Sequence, residues 1–292
     1  MVSIGRRKPL TIAVIVATIV VVLVLLLIVL VAVFQERIAF QPQGPPYPTA
    51  DGAKRVDYAA SDGQPLFAYV IGAPSADKPL LLAFHGNADL AVLQLDWANE
   101  IFRRTGVAVL LAEYRGYAGL PGKPTYLGSR LDAEAAYTLA RQTLGVPADR
   151  IAFFGHSLGS AVAAELAVRN PPFVLILQSP FTSARDMAKT VIGYRPSTVG
   201  WNFFSRIHFD TIEIVKNLDC PVSVAHGEND KLIPSSMGQA VFESTKERGR
   251  WLPVPRASHN DVSIRGGEEY WEWISTSLEL HTGLPPQGKT GT

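Results

Sequence analysis

The chain predicts a doubly wound α/β domain on a mostly parallel eight-stranded sheet, with helices on both faces, a short lid and one transmembrane helix ahead of it. Three observations carry this. Short apolar runs alternate with amphipathic segments of helical length between residues 55 and 281, the pattern of successive β-α-β units. Several runs are apolar throughout, as in Leu80-Leu81-Leu82-Ala83-Phe84, which suits strands buried on both faces of a parallel sheet. Residues 10–34 are 25 positions without a charge, a glycine or a proline.

Residues 1–9 form a short basic N-terminus carrying Arg6, Arg7 and Lys8. A helix over residues 10–34 would be about 37 Å long at about 1.5 Å per residue, against an apolar bilayer core of about 30 Å, so it can span with some tilt. The run exceeds the ~7–15 residue core of a cleaved signal peptide, and Val31-Ala32-Val33 is a poor cleavage sequence. A buried core helix seldom lacks a polar face over such a length. With the basic cluster ahead of the span and only Gln35-Glu36-Arg37 behind it, the N-terminus is expected to be cytoplasmic. The chain then reads as a single-pass membrane protein, its following domain on the non-cytoplasmic side.

Residues 35–54 read as a linker, in which Gln41-Pro42-Gln43-Gly44-Pro45-Pro46-Tyr47-Pro48 should be extended and stiff. The domain at 55–281 follows. Its expected strands are Arg55–Tyr58, Leu66–Val70, Leu80–Phe84, Val107–Leu111, Ile151–Gly155, Val174–Gln178, Val222–His226 and Trp251–Val254. The turn signal Ser61-Asp62-Gly63 pairs the first two as an antiparallel hairpin at one edge. Expected helices are Leu90–Arg104, Arg130–Thr143, Leu158–Arg169, Ser236–Thr245 and Asp261–Leu280. Residues 181–211 break the alternation, carry Phe181, Tyr194, Trp201, Phe203 and Phe204, and read as a lid rather than an ordinary connection. Residues 282–292, rich in glycine and proline, read as a disordered tail.

Hydrophobic residues make up 47% of the 292 positions, enough for a sizeable core, and the formal net charge is +1. A near-neutral domain lacks the electrostatic footprint of a nucleic-acid binder. The single cysteine, Cys220, permits no intramolecular disulfide and no cysteine-based metal site, and reads as a buried structural thiol.

The sharpest motif is Gly155-His156-Ser157-Leu158-Gly159. It directly follows the apolar run Ile151-Ala152-Phe153-Phe154 and directly opens the helical run Ser160-Ala161-Val162-Ala163-Ala164-Glu165-Leu166. A tight strand-to-helix turn presents its serine in a strained conformation that only small neighbours tolerate. That makes Ser157 the candidate nucleophile. A serine hydroxyl needs a base to take its proton, and His259, in Ala257-Ser258-His259-Asn260-Asp261 after the last expected strand, is best placed among six histidines. For the acid that orients the base, Asp230 lies at the tip of the loop after Val222–His226, with Glu228 as its rival. Backbone N–H groups of Asn87, in His85-Gly86-Asn87-Ala88, and of Leu158 could hold an oxyanion; a plain glycine turn is the competing reading of the first.

Taken together, these segments resemble the Bem46-like group of the α/β-hydrolase superfamily. The resemblance rests on FQP (40–42), HGNA (85–88), EYRGY (113–117), GHSLGS (155–160), SPFTSARDMA (179–188), PVSVAHGENDKLIP (221–234) and SHND (258–261), in order over about residues 37–280. It implies an α/β-hydrolase fold and membrane association, with the nucleophile at Ser157, the acid at Asp230 and the base at His259. Two places depart from the pattern. Ala118-Gly119-Leu120 stands where relatives often keep Gly-x-Ser, and Ala88-Asp89-Leu90 follows Asn87 without a second glycine.

The expected activity is hydrolysis of ester or thioester bonds in a small, acylated or lipid-like substrate through an acyl-enzyme, with no metal or organic cofactor. The alternatives are an aminopeptidase-like enzyme, which needs an acidic group for a substrate amine, and a non-catalytic membrane-tethered binding protein that keeps the fold.

Overall fold

The computed structural model describes residues 7–50, 53–193 and 198–279. The first six residues of the expected N-terminus, Tyr194 of the expected lid and the tail 282–292 lie outside the described residues.

The first element, α1 (Arg7–Ala39), is 33 residues long. Its only proline, Pro9, falls in the first turn, where the missing N–H has no helical partner to lose. From Thr11 to Val24 every side chain is exposed, Ile12, Val16, Val20 and Leu23 among them. Among the described residues no helix is long and apolar enough to cross a membrane.

The stretch expected as a linker begins inside this helix. Gln35 Oε1 accepts from the Arg206 N–H at 2.7 Å and Glu36 Oε1 from the Tyr126 N–H at 3.1 Å. These bonds dock the last turn of α1 on the domain. Phe40 then enters the core, 3% exposed. Residues 35–40 are therefore integral to the fold rather than a spacer.

Eight strands follow: β1 (Lys54–Ala59), β2 (Pro65–Ile71), β3 (Leu80–Phe84), β4 (Ala108–Ala112), β5 (Ile151–His156), β6 (Leu175–Gln178), β7 (Val222–Gly227) and β8 (Arg248–Val254). They form one sheet in the order β1-β2-β4-β3-β5-β6-β7-β8. As expected, β1 and β2 make an antiparallel hairpin; β2 is also antiparallel to β4, and all other pairs are parallel. The uniformly apolar runs are the inner strands: every residue of β3, β4 and β6 is buried.

The helices are α2 (Leu95–Thr105), α3 (Tyr126–Thr138), α4 (Leu158–Arg169), α5 (Ala184–Ile192), α6 (Thr198–Phe204), α7 (Thr211–Val215), α8 (Ser235–Glu243) and α9 (Val262–Glu279). α2 and α9 pack on one face; α3, α4, α7 and α8 cover the other. The small residues of α4 (Gly159, Ser160, Ala161, Ala163, Ala164), all buried, let it lie close under the sheet. Trp97 Nε1 donates to Tyr270 Oη at 2.9 Å, and Tyr270 in turn to Gln178 Oε1 at 2.7 Å, joining α2, α9 and β6.

Boundaries differ from expectation where a cap, not a hydrophobic period, sets them. α3 starts at Tyr126 rather than Arg130 because Thr125 Oγ1 accepts from the Gly128 N–H. α9 is broken at Gly267, whose φ is 51°. The aromatic segment 181–211 contains α5, started by Ser183 accepting from the Asp186 N–H, and α6.

Strand order reverses at β3, which lies between β4 and β5. Such a switch opens a crevice at the carboxyl ends of the strands. The register Phe84↔Gly155 sets the loop after β3 beside the turn after β5, and β7 and β8 end alongside at Gly227↔Val254. The four segments that carry the sequence motifs thus converge on one edge.

Candidate active site

The turn between β5 and α4 is dictated by contact distances. A Cβ on Gly155 would lie 2.2 Å from the Gly159 carbonyl oxygen, and one on Gly159 would lie 2.2 Å from the Phe84 carbonyl oxygen. Neither position admits a side chain. Ser157, between them, is held at φ 54°, ψ −115°, a conformation that costs a non-glycine residue about 1–3 kcal/mol. Its N–H donates to the Gln178 carbonyl at 2.9 Å.

The structure brings the three expected side chains together. Ser157 Oγ is 2.9 Å from His259 Nε2, and His259 Nδ1 is 2.7 Å from Asp230 Oδ2. All three residues are buried. Glu228, the rival acid, is exposed. The Asp230 loop is stitched to the His259 loop by Glu228 N–H to Val254 O at 3.0 Å and Asn229 N–H to Ala257 O at 2.9 Å. Asp230 Oδ1 accepts the Leu232 and Ile233 N–H groups at 2.8 and 2.9 Å.

His226 belongs to this constellation although sequence reading passed it over. Its Nε2 lies 2.9 Å from the Ile233 carbonyl and 3.2 Å from Asp230 Oδ2. Burial alone would raise the Asp230 carboxyl. Hydrogen bonds from His226 and His259, with the Ile233 N–H, outweigh it and hold the group well below the usual carboxylate range. The available signal was spacing: His226 is the penultimate residue of β7, four residues before Asp230.

His156, beside Ser157, bonds to the backbone of the His259 loop. Its Nε2–H donates to the His259 carbonyl at 3.2 Å. Burial, and then His259, push its imidazolium down to about 3, so the ring is neutral. His85 is the opposite case. Its Nε2 donates to Glu113 Oε1 at 2.7 Å and its Nδ1 to the Gly86 carbonyl at 2.8 Å. Burial works against its charge, yet the Glu113 carboxylate prevails and its pKa is raised. Glu113 also accepts the Ala91 and Tyr114 N–H groups, both at 3.0 Å. This buried pair braces the loop after β3 from below.

That loop lies against the serine: a Cβ on Gly86 would be 3.5 Å from Ser157 Cβ. Among the described residues, the N–H groups of Asn87 and Leu158 find no protein acceptor. The Asn87 side chain is fully engaged. Its Nδ2 donates to the Ala39 carbonyl at 2.6 Å, and its Oδ1 accepts from the Gln41 N–H and the Tyr117 hydroxyl, both at 2.8 Å. Cys220 is buried, and burial pushes its thiol up to about 11. Of the other histidines, His208 packs edge-on to Tyr126, and His281 lies outside the described residues.

The Mycobacterium tuberculosis protein Rv2307c is 32% identical to the chain over 241 residues, 80% of this chain and 83% of its own length. The human α/β hydrolase domain-containing protein 17B is 31% identical over 213 residues, 72% of this chain and 70% of its own. The Pyrococcus furiosus esterase Pf2001 superposes with a TM-score of 0.64 at 19% identity, over 84% of this chain and 100% of its own. No family model matches the chain.

Proposed function

The chain belongs to the α/β-hydrolase superfamily, in its Bem46-like group, and from that premise we propose that this hydrolase is a membrane-anchored serine esterase or thioesterase acting on apolar, acylated substrates. One observation carries the proposal. An unbroken relay runs from Ser157 Oγ through His259 to Asp230, with links of 2.9 and 2.7 Å.

In this reading Ser157 Oγ attacks the substrate carbonyl carbon while His259 Nε2 takes its proton. Asp230 keeps the proton of neutral His259 on Nδ1 and stabilises the imidazolium that forms. The tetrahedral oxyanion sits between the N–H groups of Asn87 and Leu158, aided by the N-terminal end of α4. His259 then protonates the departing alkoxide or thiolate. A water, deprotonated by the same histidine, attacks the acyl-enzyme, and the acid and the free serine are released.

The substrate class and the anchor rest on α1 and its surroundings. Val29, Ala32 and Val33 face Phe203 and Phe204 of α6 across a cleft of about 310 Å³, with Arg206 at its edge. An apolar helix beside an aromatic segment suits an acyl chain drawn from a bilayer. α1 would cross that bilayer with its basic start in the cytoplasm and the hydrolase domain on the far side, the 181–211 segment acting as a lid.

Two measurements test the proposal. Ser157→Ala should abolish labelling by a fluorophosphonate probe; undiminished labelling of that variant removes Ser157 as the nucleophile. Turnover of p-nitrophenyl acyl esters of graded length should favour the longer apolar chains, and a preference for acetate would count against a lipid-like substrate.

A further inference from the structure

The oxyanion loop receives its outermost support from an unexpected place. Ala39 is the last residue of α1, and Gln41 lies two residues on. Their backbone groups grip the Asn87 side chain from both ends of its carboxamide: the Ala39 carbonyl takes the Nδ2–H at 2.6 Å, and the Gln41 N–H reaches Oδ1 at 2.8 Å. Gln43 Nε2 adds a bond to the Ala88 carbonyl. Between these contacts Phe40 is buried, and it shares a narrow crevice with Leu158, Tyr114, Arg115 and Val162. The segment therefore holds Asn87 directly and lines the same crevice as Leu158, the two residues whose N–H groups are assigned to the oxyanion.

We propose that residues 39–43 are a strap that sets the oxyanion hole, so that Asn87 acts as a positioning residue through its side chain as well as a donor through its backbone. The inference rests on the serine-hydrolase reading above. Ala88 has φ 51°, a conformation that costs a non-glycine residue free energy and persists only where the surroundings hold it. From inside the domain the loop is held by the His85–Glu113 pair, which acts at residues 85, 86 and 91. Positions 87 and 88 are held by the strap, by the Tyr117 hydroxyl on Asn87 Oδ1 and by the Ala88 N–H, which donates to the same oxygen at 3.2 Å. An oxyanion donor stabilises the transition state far more than the ground state. A loosened strap should therefore lower kcat and leave KM nearly alone.

Gln41→Pro in the full-length chain deletes the N–H that reaches Asn87 and alters no residue of the relay. Gln41→Ala keeps that N–H. Turnover is read per fluorophosphonate-titrated site, so that unfolded protein does not count. Hydrogen–deuterium exchange follows residues 85–91 and, separately, the turn at 157–160. The expected result for Gln41→Pro is a fall in kcat of about tenfold to a hundredfold, less than complete loss of a donor, with KM within about threefold. Exchange should be faster in 85–91 and unchanged in 157–160, and Gln41→Ala should restore wild-type behaviour in both measurements. Unchanged exchange in 85–91, or unchanged kcat per titrated site, overturns the strap. Faster exchange at 157–160 as well, or the same loss in Gln41→Ala, also overturns it, since both mean general loosening. A wild-type chain that is neither labelled nor hydrolytic would defeat the hydrolase reading instead, and the exchange measurement alone then decides whether the strap orders the loop.

Discussion

Asp230→Asn is the sharpest test of the relay, because the replacement keeps the shape and changes only the sense of the hydrogen bonds. The carboxylate accepts from four groups: His259 Nδ1 at 2.7 Å, His226 Nε2 at 3.2 Å and the N–H groups of Leu232 and Ile233 at 2.8 and 2.9 Å. The carboxamide oxygen can keep the two backbone donors. Its NH₂ then faces His259 and His226. His259 can accept there only by shifting its proton to Nε2, where it faces Ser157 and can no longer serve as base. In a serine protease the same exchange costs about 10⁴ in kcat, about 5 kcal/mol at about 1.4 kcal/mol per decade. The assay is hydrolysis of a p-nitrophenyl ester at pH 8, per titrated site, with exposed Glu228→Gln as a control expected to stay within twofold. A loss smaller than tenfold in Asp230→Asn refutes the assignment. Stability supplies a second readout. The folded pKa of Asp230 is depressed, so its contribution is fully present above the ordinary carboxylate range near about 4 and is lost as pH falls below it. The variant should therefore show a shallower acid limb in thermal unfolding between pH 5 and 2.

Two further outcomes are expected. Ser157→Gly should abolish turnover yet raise Tm by about 2–4 °C, the equivalent of about 1 kcal/mol, because glycine relieves the strain at φ 54°; calorimetry that finds a lower Tm contradicts the strained turn. The raised pKa of buried His85 means that its pairing with Glu113 stabilises fully below the ordinary histidine value near about 6.5 and is lost as pH rises through the folded value. Urea unfolding between pH 6 and 9 should thus show a steeper loss in the wild type than in Glu113→Gln, and parallel profiles would contradict the charged pair.

What could be read from the sequence divides along physical lines. Inner strands such as Leu80–Phe84 and the helix Leu158–Arg169 were legible to the residue, because burial on both faces and a glycine-framed turn leave clear local marks. The meeting of Ser157, Asp230 and His259 was legible because each sits at a strand end whose order in the chain is informative. What stayed hidden depends on meetings between distant segments. His226 reads as one more histidine before a glycine until the loop folds back on it, and Glu113 as a strand-end charge until His85 lies 2.7 Å away. Residues 35–41 look like the start of a proline-rich spacer, and only their bonds to Tyr126, Arg206 and Asn87 show that they belong to the domain. α5 holds no aromatic and is started by the Ser183 cap, while α6 carries Trp201, Phe203 and Phe204 over only seven residues, so neither stood out as a helix by pattern.

The docking of Gln35 and Glu36 at the foot of α1 has a consequence for how such an enzyme meets its substrate. A domain hung on a loose tether can tumble and sample the surrounding solution. A domain whose stalk is bonded at Tyr126 and Arg206 inherits the orientation of the stalk. If α1 is anchored in a bilayer as proposed, the mouth of the domain keeps one heading relative to the lipid surface, and what it can reach is decided by lateral diffusion within that surface as much as by chemistry.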